Sequence, residues 1–175
     1  YGKNGPSVST YLRDRKDDAL AYAANLKASL GYNESVVKLK YLIEQKPQNF
    51  EYRNMYADAL IENNQFKEAI ETINEAQRIL AASGNARLDY TLRIAEANAL
   101  SGNTANAATL IPELVKGSRR LRENDKLRLI RLLLNNNQST TAKDIFNQIK
   151  PLNDPFYLAD YSFTDGLLNE KEGDK

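Results

Sequence analysis

Charged side chains are the groups in this sequence that could do chemistry, because the chain contains no histidine and no cysteine. Missing histidine removes the usual general base near neutral pH and a common metal ligand, and missing cysteine removes thiol chemistry and disulfides. Carboxylates such as Glu51, Asp58 and Glu62 follow helical spacing, which is typical of a solvated helix surface. The sequence has no glycine-rich phosphate loop and no nucleophile elbow. We therefore expect no enzyme activity, no cofactor and no bound metal.

A second group of charged residues is basic and lies between residues 116 and 131. Seven basic and two acidic residues give this stretch a net charge of +5. Such a patch could bind an anionic polymer or nucleic acid through phosphate contacts. No aromatic side chain lies within it to stack on bases, so an exposed turn and helix face is the simpler interpretation. The basic residues of this cluster are Lys116, Arg119, Arg120, Arg122, Lys126, Arg128 and Arg131.

The overall composition is that of an ordinary folded chain. The 175 residues include 24 basic and 23 acidic ones, so no global field favours nucleic acid or membrane as a partner. No apolar run approaches the roughly 18 residues that a membrane-spanning helix needs. The chain begins with Tyr1 and shows no signal-peptide pattern, so we expect a piece of a longer protein. Localisation stays open, with the periplasm slightly favoured over the cytoplasm because cysteine is absent.

The elements that carry these residues repeat along the chain. Residues 33–47 align with residues 67–81 at an offset of 34 residues, and both stretches have helical periodicity. Paired helical patterns at a period near 34 residues indicate stacked helix pairs. One position of the repeat is always small, because a larger side chain would force the packed helices apart. The residues at this position are Ser35, Ala69, Ala107 and Ala142, with spacings of 34, 38 and 35 residues.

These patterns predict an all-α fold, a right-handed superhelical solenoid of antiparallel helix pairs with about four repeats and one terminal helix. Residues 1–15 are expected to form a loop and a partial helix, and residues 16–175 the solenoid. The repeats are expected at about 16–49, 50–85, 86–122 and 123–153, with a partial repeat at 154–175. The predicted helices are 17–30, 34–45, 50–62, 65–80, 87–100, 104–116, 123–134, 140–149 and 156–169.

Asparagine, glycine and proline mark the ends of these helices. Asn63 and Asn64 replace the usual glycine in one turn, since asparagine enters the left-handed region more readily than most residues. Pro112 lies within a predicted helix and should kink or shorten it. Gly166 is expected at the small position of the partial repeat, and Gly173 at its turn, so that the second helix of this fifth unit would lie beyond the sequence.

The stretch NFEYRNMYADALIENNQFKEAIETINEAQRIL, residues 49–80, resembles the tetratricopeptide repeat family. The resemblance extends over residues 16–174 and is degenerate outside this stretch, because no tryptophan begins a repeat. It implies a helical solenoid that binds a protein or peptide partner on a concave surface lined by the first helix of each repeat. The residues at consensus positions are Tyr56, Ala57, Leu60, Phe66, Ala69 and Ala76.

The same resemblance implies which residues would touch a partner. The implied groove is acidic in its middle and becomes apolar and basic toward its C-terminal end. The chaperone-binding members use a clamp of lysine and asparagine, and this clamp is missing here, since Asp89 stands where a lysine belongs. The implied partner-binding residues are Glu51, Asn54, Asp58, Ile61, Glu62, Asp89, Leu92, Glu96 and Arg131.

Three functions are compatible with the sequence. The first is a non-catalytic protein–protein interaction scaffold within a larger protein, which binds a partner segment on the concave face. The second is a periplasmic scaffold of an outer-membrane assembly or exopolysaccharide export system, with polysaccharide as a possible partner. The third is binding of an anionic polymer or nucleic acid through residues 116–131. The identity of the partner and the oligomeric state stay open.

Overall fold

The computed structural model describes Asp18 and residues 34–150 and 152–173. In this part of the chain the regular structure is entirely helical, with eight α-helices and one short 3-10 helix at Ser118–Arg120. The all-helical prediction is confirmed, whereas the right-handed superhelix stays a prediction. The expected elements at 1–15 and 17–30 lie outside the described residues, apart from Asp18, which is helical. The α-helices are α1 Glu34–Gln45, α2 Phe50–Glu62, α3 Phe66–Ala82, α4 Leu88–Leu100, α5 Thr104–Gly117, α6 Glu123–Asn135, α7 Ser139–Phe146 and α8 Pro155–Gly173.

The chain divides into two compact units, residues 1–73 and residues 74–175. In the first unit, α1 packs against α2. In the second unit, α4 packs against α5 and α6, while α6 packs against α7 and α8, and α7 packs against α8. Within the second unit, the first helix of each pair therefore lies beside the first helix of the next pair. A stack of helix pairs needs this arrangement, because each pair buries its apolar face only against a neighbour.

The helix pairs are closed by turns that contain one left-handed residue. After α2, Asn64 has φ 59°, and the N–H of Gln65 donates to the carbonyl oxygen of Leu60 over 2.8 Å. This pattern satisfies carbonyl groups that the end of a helix would leave without partners. The expected role of Asn64 is confirmed. Three further turns of the same kind follow α3, α4 and α6, with Gly84, Gly102 and Asn137 as the left-handed residues.

Small residues fill the positions where helices approach each other. The alanines of the repeat positions, Ala57, Ala69, Ala76, Ala107 and Ala142, are all buried. Gly166 is exposed, and a Cβ added to it would meet no atom within 4 Å. Its expected role stays a prediction, because the helix that it would face is not among the described residues. A close approach of helices occurs at Gly117, the last residue of α5. A Cβ there would lie 2.5 Å from Cδ2 of Leu88, so α4 and α5 come this close only because Gly117 has no side chain.

Three predicted helix ends are corrected, those of α5, α7 and α8. Pro112 does not shorten its helix, because α5 continues past it to Gly117, whereas the expected kink stays a prediction. Gly173 does not form a turn, because α8 includes it as its last residue. The last helix is longer than expected, and α7 ends at Phe146 rather than at 149. Phe146 instead stacks on Tyr161 of α8, with ring centroids 4.8 Å apart.

In the first unit, a buried tyrosine joins α2 to α3. The hydroxyl of Tyr56 donates to Oε1 of Glu68 over 3.1 Å. Burial, followed by the negative charge of Glu68, raises the pKa of Tyr56 well above its ordinary value of 10. The neutral phenol is therefore preferred in the folded chain, so its contribution to stability is complete below pH 10 and is lost as the pH rises further.

This shift predicts the pH dependence of stability. Between pH 10 and pH 11.5 the free energy of unfolding should fall more steeply with pH in the wild type than in Tyr56→Phe. The difference between the two slopes should reach up to about 1.4 kcal/mol per pH unit. At pH 8 the variant should be less stable by about 1 kcal/mol, because it lacks the hydrogen bond to Glu68. Urea unfolding followed by circular dichroism measures both values. Tyr41→Phe, at an exposed position of α1, is the control and should keep the wild-type slope. Parallel curves for wild type and Tyr56→Phe would contradict the argument.

Candidate functional site

In the first unit, the implied partner-binding residues lie on α2. Glu51, Asp58 and Glu62 share one face, because seven residues complete nearly two helical turns and four residues slightly more than one. Glu51 and Asp58 are half-buried and Glu62 is exposed, so a partner could reach this acidic stripe. Asn54 and Ile61 are different, since they are only 6% and 5% exposed and lie in the interior. Of the five residues, the structure brings the three acidic ones together at the surface.

In the second unit, the implied partner-binding residues are occupied by contacts within the fold. Leu92 is completely buried and belongs to the core. Both carboxylate oxygens of Asp89 accept from the guanidinium of Arg87, over 3.0 and 2.7 Å. Glu96 accepts from Nε and Nη2 of Arg128, over 2.8 and 2.5 Å. The expected acidic character of the groove is therefore reduced here, because arginines balance both carboxylates.

The charged residues of α6 connect the first helices of three successive pairs. Asp125 and Arg128 contact Arg93 and Glu96 of α4. Three residues further on, Arg131 contacts α8, where it donates to Asp160 over 2.5 Å and to Thr164 over 3.0 Å. Each step of three residues rotates a side chain by about 60° around the helix axis, so this row passes from the α4 side to the α8 side. These side chains hold the layer of first helices together.

The pair of Arg93 and Asp125 was missed by the sequence analysis. Both side chains are 5% exposed, and Nη2 of Arg93 lies 3.3 Å from Oδ1 of Asp125. A signal for it exists in the sequence, because this pair and the pair Glu96–Arg128 are each separated by 32 residues. Opposite charges that face each other at nearly one repeat length indicate contact between neighbouring first helices. The sequence analysis interprets residues 116–131, which include Asp125, as an exposed turn and helix face, whereas the side chain of Asp125 is buried.

The basic cluster of residues 116–131 does not form one continuous patch. Lys126 is buried and donates to Glu123 over 2.7 Å, while Arg128 and Arg131 are bonded to Glu96 and Asp160. Three of the seven basic residues therefore stabilise the fold, which weakens the case for an extended anionic polymer along the cluster. The residues of the cluster that are exposed are Lys116, Arg119, Arg120 and Arg122.

Two of the exposed arginines line a pocket of about 230 Å³ in the second unit. It lies where α4 and α6 begin and next to the 3-10 helix, and its basic residues are Arg87, Arg120 and Arg122. Leu88 and Leu121 give it an apolar part. Asp89 and Asp125 also line it, so the pocket combines three arginines and two aspartates with an apolar wall.

Metal sites and membrane-spanning helices are two other features that the described residues could contain. In these parts of the chain, no group of three or more acidic side chains is arranged to hold a metal ion. Among the described helices, none combines the length and the apolar character that crossing a bilayer requires.

Comparison with known protein families gives a match for one segment of the chain. Residues 32–87 match the model of the family described as Tetratricopeptide repeat. The match includes all of α1, α2 and α3, and with them the acidic stripe on α2. No curated protein and no solved structure shows significant similarity to the chain.

Proposed function

We propose that this chain is a non-catalytic scaffold that binds a segment of a protein partner along α2, because residues 32–87, which include α2, match the tetratricopeptide repeat family model. Repeats of this family generally mediate protein–protein interaction. The observation that carries the proposal is the acidic stripe of Glu51, Asp58 and Glu62, which lies on the first helix of the matched repeat and reaches the surface. A scaffold built from helix pairs presents such a face as a continuous surface to a partner.

The negative charge of the stripe favours a partner segment with basic side chains. Three carboxylates along about three turns of helix favour an extended or helical segment with basic and polar side chains at matching intervals. Complementary charges of this kind speed encounter and fix the register of the partner more than they add affinity. We therefore expect a partner whose binding weakens as the salt concentration rises.

Charge reversal of the stripe tests the proposal. Peptides that bind the whole chain would first be selected from a phage-displayed library of random sequences. The affinity of the selected peptides should then fall by about tenfold or more in the triple variant Glu51→Lys, Asp58→Lys, Glu62→Lys, because attraction becomes repulsion at three positions. Fluorescence polarisation with labelled peptide measures the affinity, and circular dichroism checks that helicity is unchanged.

A matched control is available in the same unit. Glu34, Glu44 and Glu71 are exposed carboxylates on α1 and α3, and their reversal to lysine changes the net charge by the same amount. This control triple should keep affinity within about twofold of wild type, since long-range charge effects are screened by salt. If both triples weaken binding equally, or neither does, the α2 stripe is not the binding face.

Glu96 is left out of this test for a physical reason. Its carboxylate is bonded to Arg128, so reversal would place a lysine beside an arginine at a half-buried position of the second unit. A loss of binding in such a variant would report lost stability as readily as a lost partner contact.

A further inference from the structure

We propose that Met55 is an apolar contact within the acidic stripe on α2, and that the partner segment places an apolar side chain between basic ones. This inference rests on the proposed function, since it names a further residue of the same binding face and the chemistry of the segment that fits it. The inference concerns an apolar contact, so it does not require the carboxylates of the stripe to lack contacts within the chain.

Helix geometry places Met55 on the same face as the three carboxylates. Residues of an α-helix follow each other at about 100° around the axis and about 1.5 Å along it. Met55 is therefore rotated by about 40° from Glu51 and by about 20° from Glu62. Its rotation from Asp58 is about 60°. Along the axis Met55 lies between Glu51 and Asp58, so a partner segment that follows the stripe passes over it.

Met55 reaches the surface, whereas the residues beside it in the chain do not. Asn54 and Tyr56 are 6% and 2% exposed, while Met55 is half-buried. Among the apolar side chains of α2, only Met55 and Phe50, the first residue of the helix, are not buried. Phe50 is rotated by about 140° from Met55 and so lies away from the stripe. Met55 is therefore the apolar group that this face of α2 offers to a partner.

The chemistry of methionine suits such a contact. Its side chain is unbranched, and its polarisable thioether packs against aliphatic and aromatic groups of varied shape. Burial of apolar surface stabilises a complex, whereas complementary charges mainly guide encounter and register. Carboxylates lie before and after Met55 on the helix, so basic residues should flank the apolar residue of the partner. We expect the selected peptides to carry an aliphatic or aromatic residue between two basic ones.

Substitution of Met55 tests the contact by fluorescence polarisation, with the peptides selected on the whole chain. Met55→Gln should weaken binding by about fivefold or more, because an amide replaces the thioether while length and helix propensity stay similar. Met55→Leu should stay within about twofold of wild type, since it keeps an apolar side chain of similar volume. Val37→Gln is the matched control, because Val37 is an apolar residue of α1 that is 70% exposed. It should leave the affinity unchanged.

Oxidation is a chemically independent version of this test. Hydrogen peroxide transfers one oxygen atom to the methionine sulfur and is reduced to water, which turns the thioether into a polar sulfoxide. Met55 is the only methionine, and the chain has no cysteine and no tryptophan, so mild oxidation acts on this residue once any initiator methionine is removed. The oxidised chain should lose affinity as Met55→Gln does. The Met55→Leu chain is the control and should bind equally well before and after peroxide.

The outcomes separate this inference from the proposal on which it rests. Weaker binding after Met55→Gln and after oxidation, with Met55→Leu unchanged, supports the contact. If charge reversal of the stripe weakens binding while Met55→Gln and oxidation do not, the apolar contact is disproved and the acidic stripe stands. Equal weakening in Met55→Gln and in either other variant would overturn the contact too, because the effect would not depend on apolar character at this position. If neither charge reversal nor Met55→Gln changes the affinity, the α2 face itself is disproved.

Discussion

Replacing Arg93 by methionine should lower the free energy of unfolding by about 3–5 kcal/mol, because it removes one partner of a buried ion pair. Arg93 and Asp125 are each 5% exposed, so the carboxylate would stay buried after its arginine is gone. Arg93 also donates from Nη1 to the carbonyl oxygen of Asp89 over 3.0 Å, and this hydrogen bond is lost too. Urea unfolding followed by circular dichroism measures the change.

Two further variants show whether the buried pair is the cause. The double variant Arg93→Met, Asp125→Leu should recover most of the lost stability, because apolar residues often replace a buried ion pair at little cost. Arg78→Met is the matched control in the same unit, since Arg78 is 77% exposed and pairs with Glu75 at the surface. It should change stability by about 1 kcal/mol at most. A double variant as unstable as Arg93→Met alone would disprove the explanation.

The second large effect concerns Leu92, which the family resemblance implied as a partner contact. Leu92→Ala should cost about 2–5 kcal/mol of unfolding free energy, because the side chain is fully buried in the core of the second unit and its loss leaves a cavity. Leu100→Ala in the same helix is the control. That side chain is 53% exposed, so the change should stay within about 0.5 kcal/mol. Thermal or urea unfolding of both variants gives the comparison.

This pair of variants also decides how binding data at Leu92 are read. If Leu92→Ala loses stability as expected, a simultaneous loss of partner affinity reports unfolding and not a missing contact. If Leu92→Ala keeps wild-type stability and still weakens peptide binding, Leu92 is a surface contact and its burial in the core is disproved.

Helix positions were predicted well where the signals are local. The bounds of α1 and α2 agree with the expected 34–45 and 50–62. The side chain of Asn49 accepts from the N–H of Tyr52 over 3.1 Å at the start of α2, and Asn64 closes its end. Such caps act over three or four residues, so a sequence reveals them directly. The last two helices were predicted less well, since their ends depend on contacts such as Phe146 with Tyr161.

The candidate sites were predicted less completely than the helices. The sequence showed that residues 116–131 are basic, yet it could not show that Lys126, Arg128 and Arg131 are bonded to acids. Two of these three bonds join residues about one repeat apart, at separations of 32 and 29 residues. Which side chains face each other over such a distance depends on the rotation of each helix. A change of one residue in register turns a helix face by about 100°.

The sequence by itself determined that this protein is built from helix pairs. The spacing of apolar residues shows the helical period, and the spacing of the small residues shows the repeat length. It also indicated the acidic stripe on α2, since residues seven and four apart share a helix face. Only the tertiary structure decided which charged side chains form ion pairs between helices and which lie at a surface or in the pocket beside Arg120. Ion pairing depends on the distance between side chains of different helices, and that distance exists only after the helices have packed.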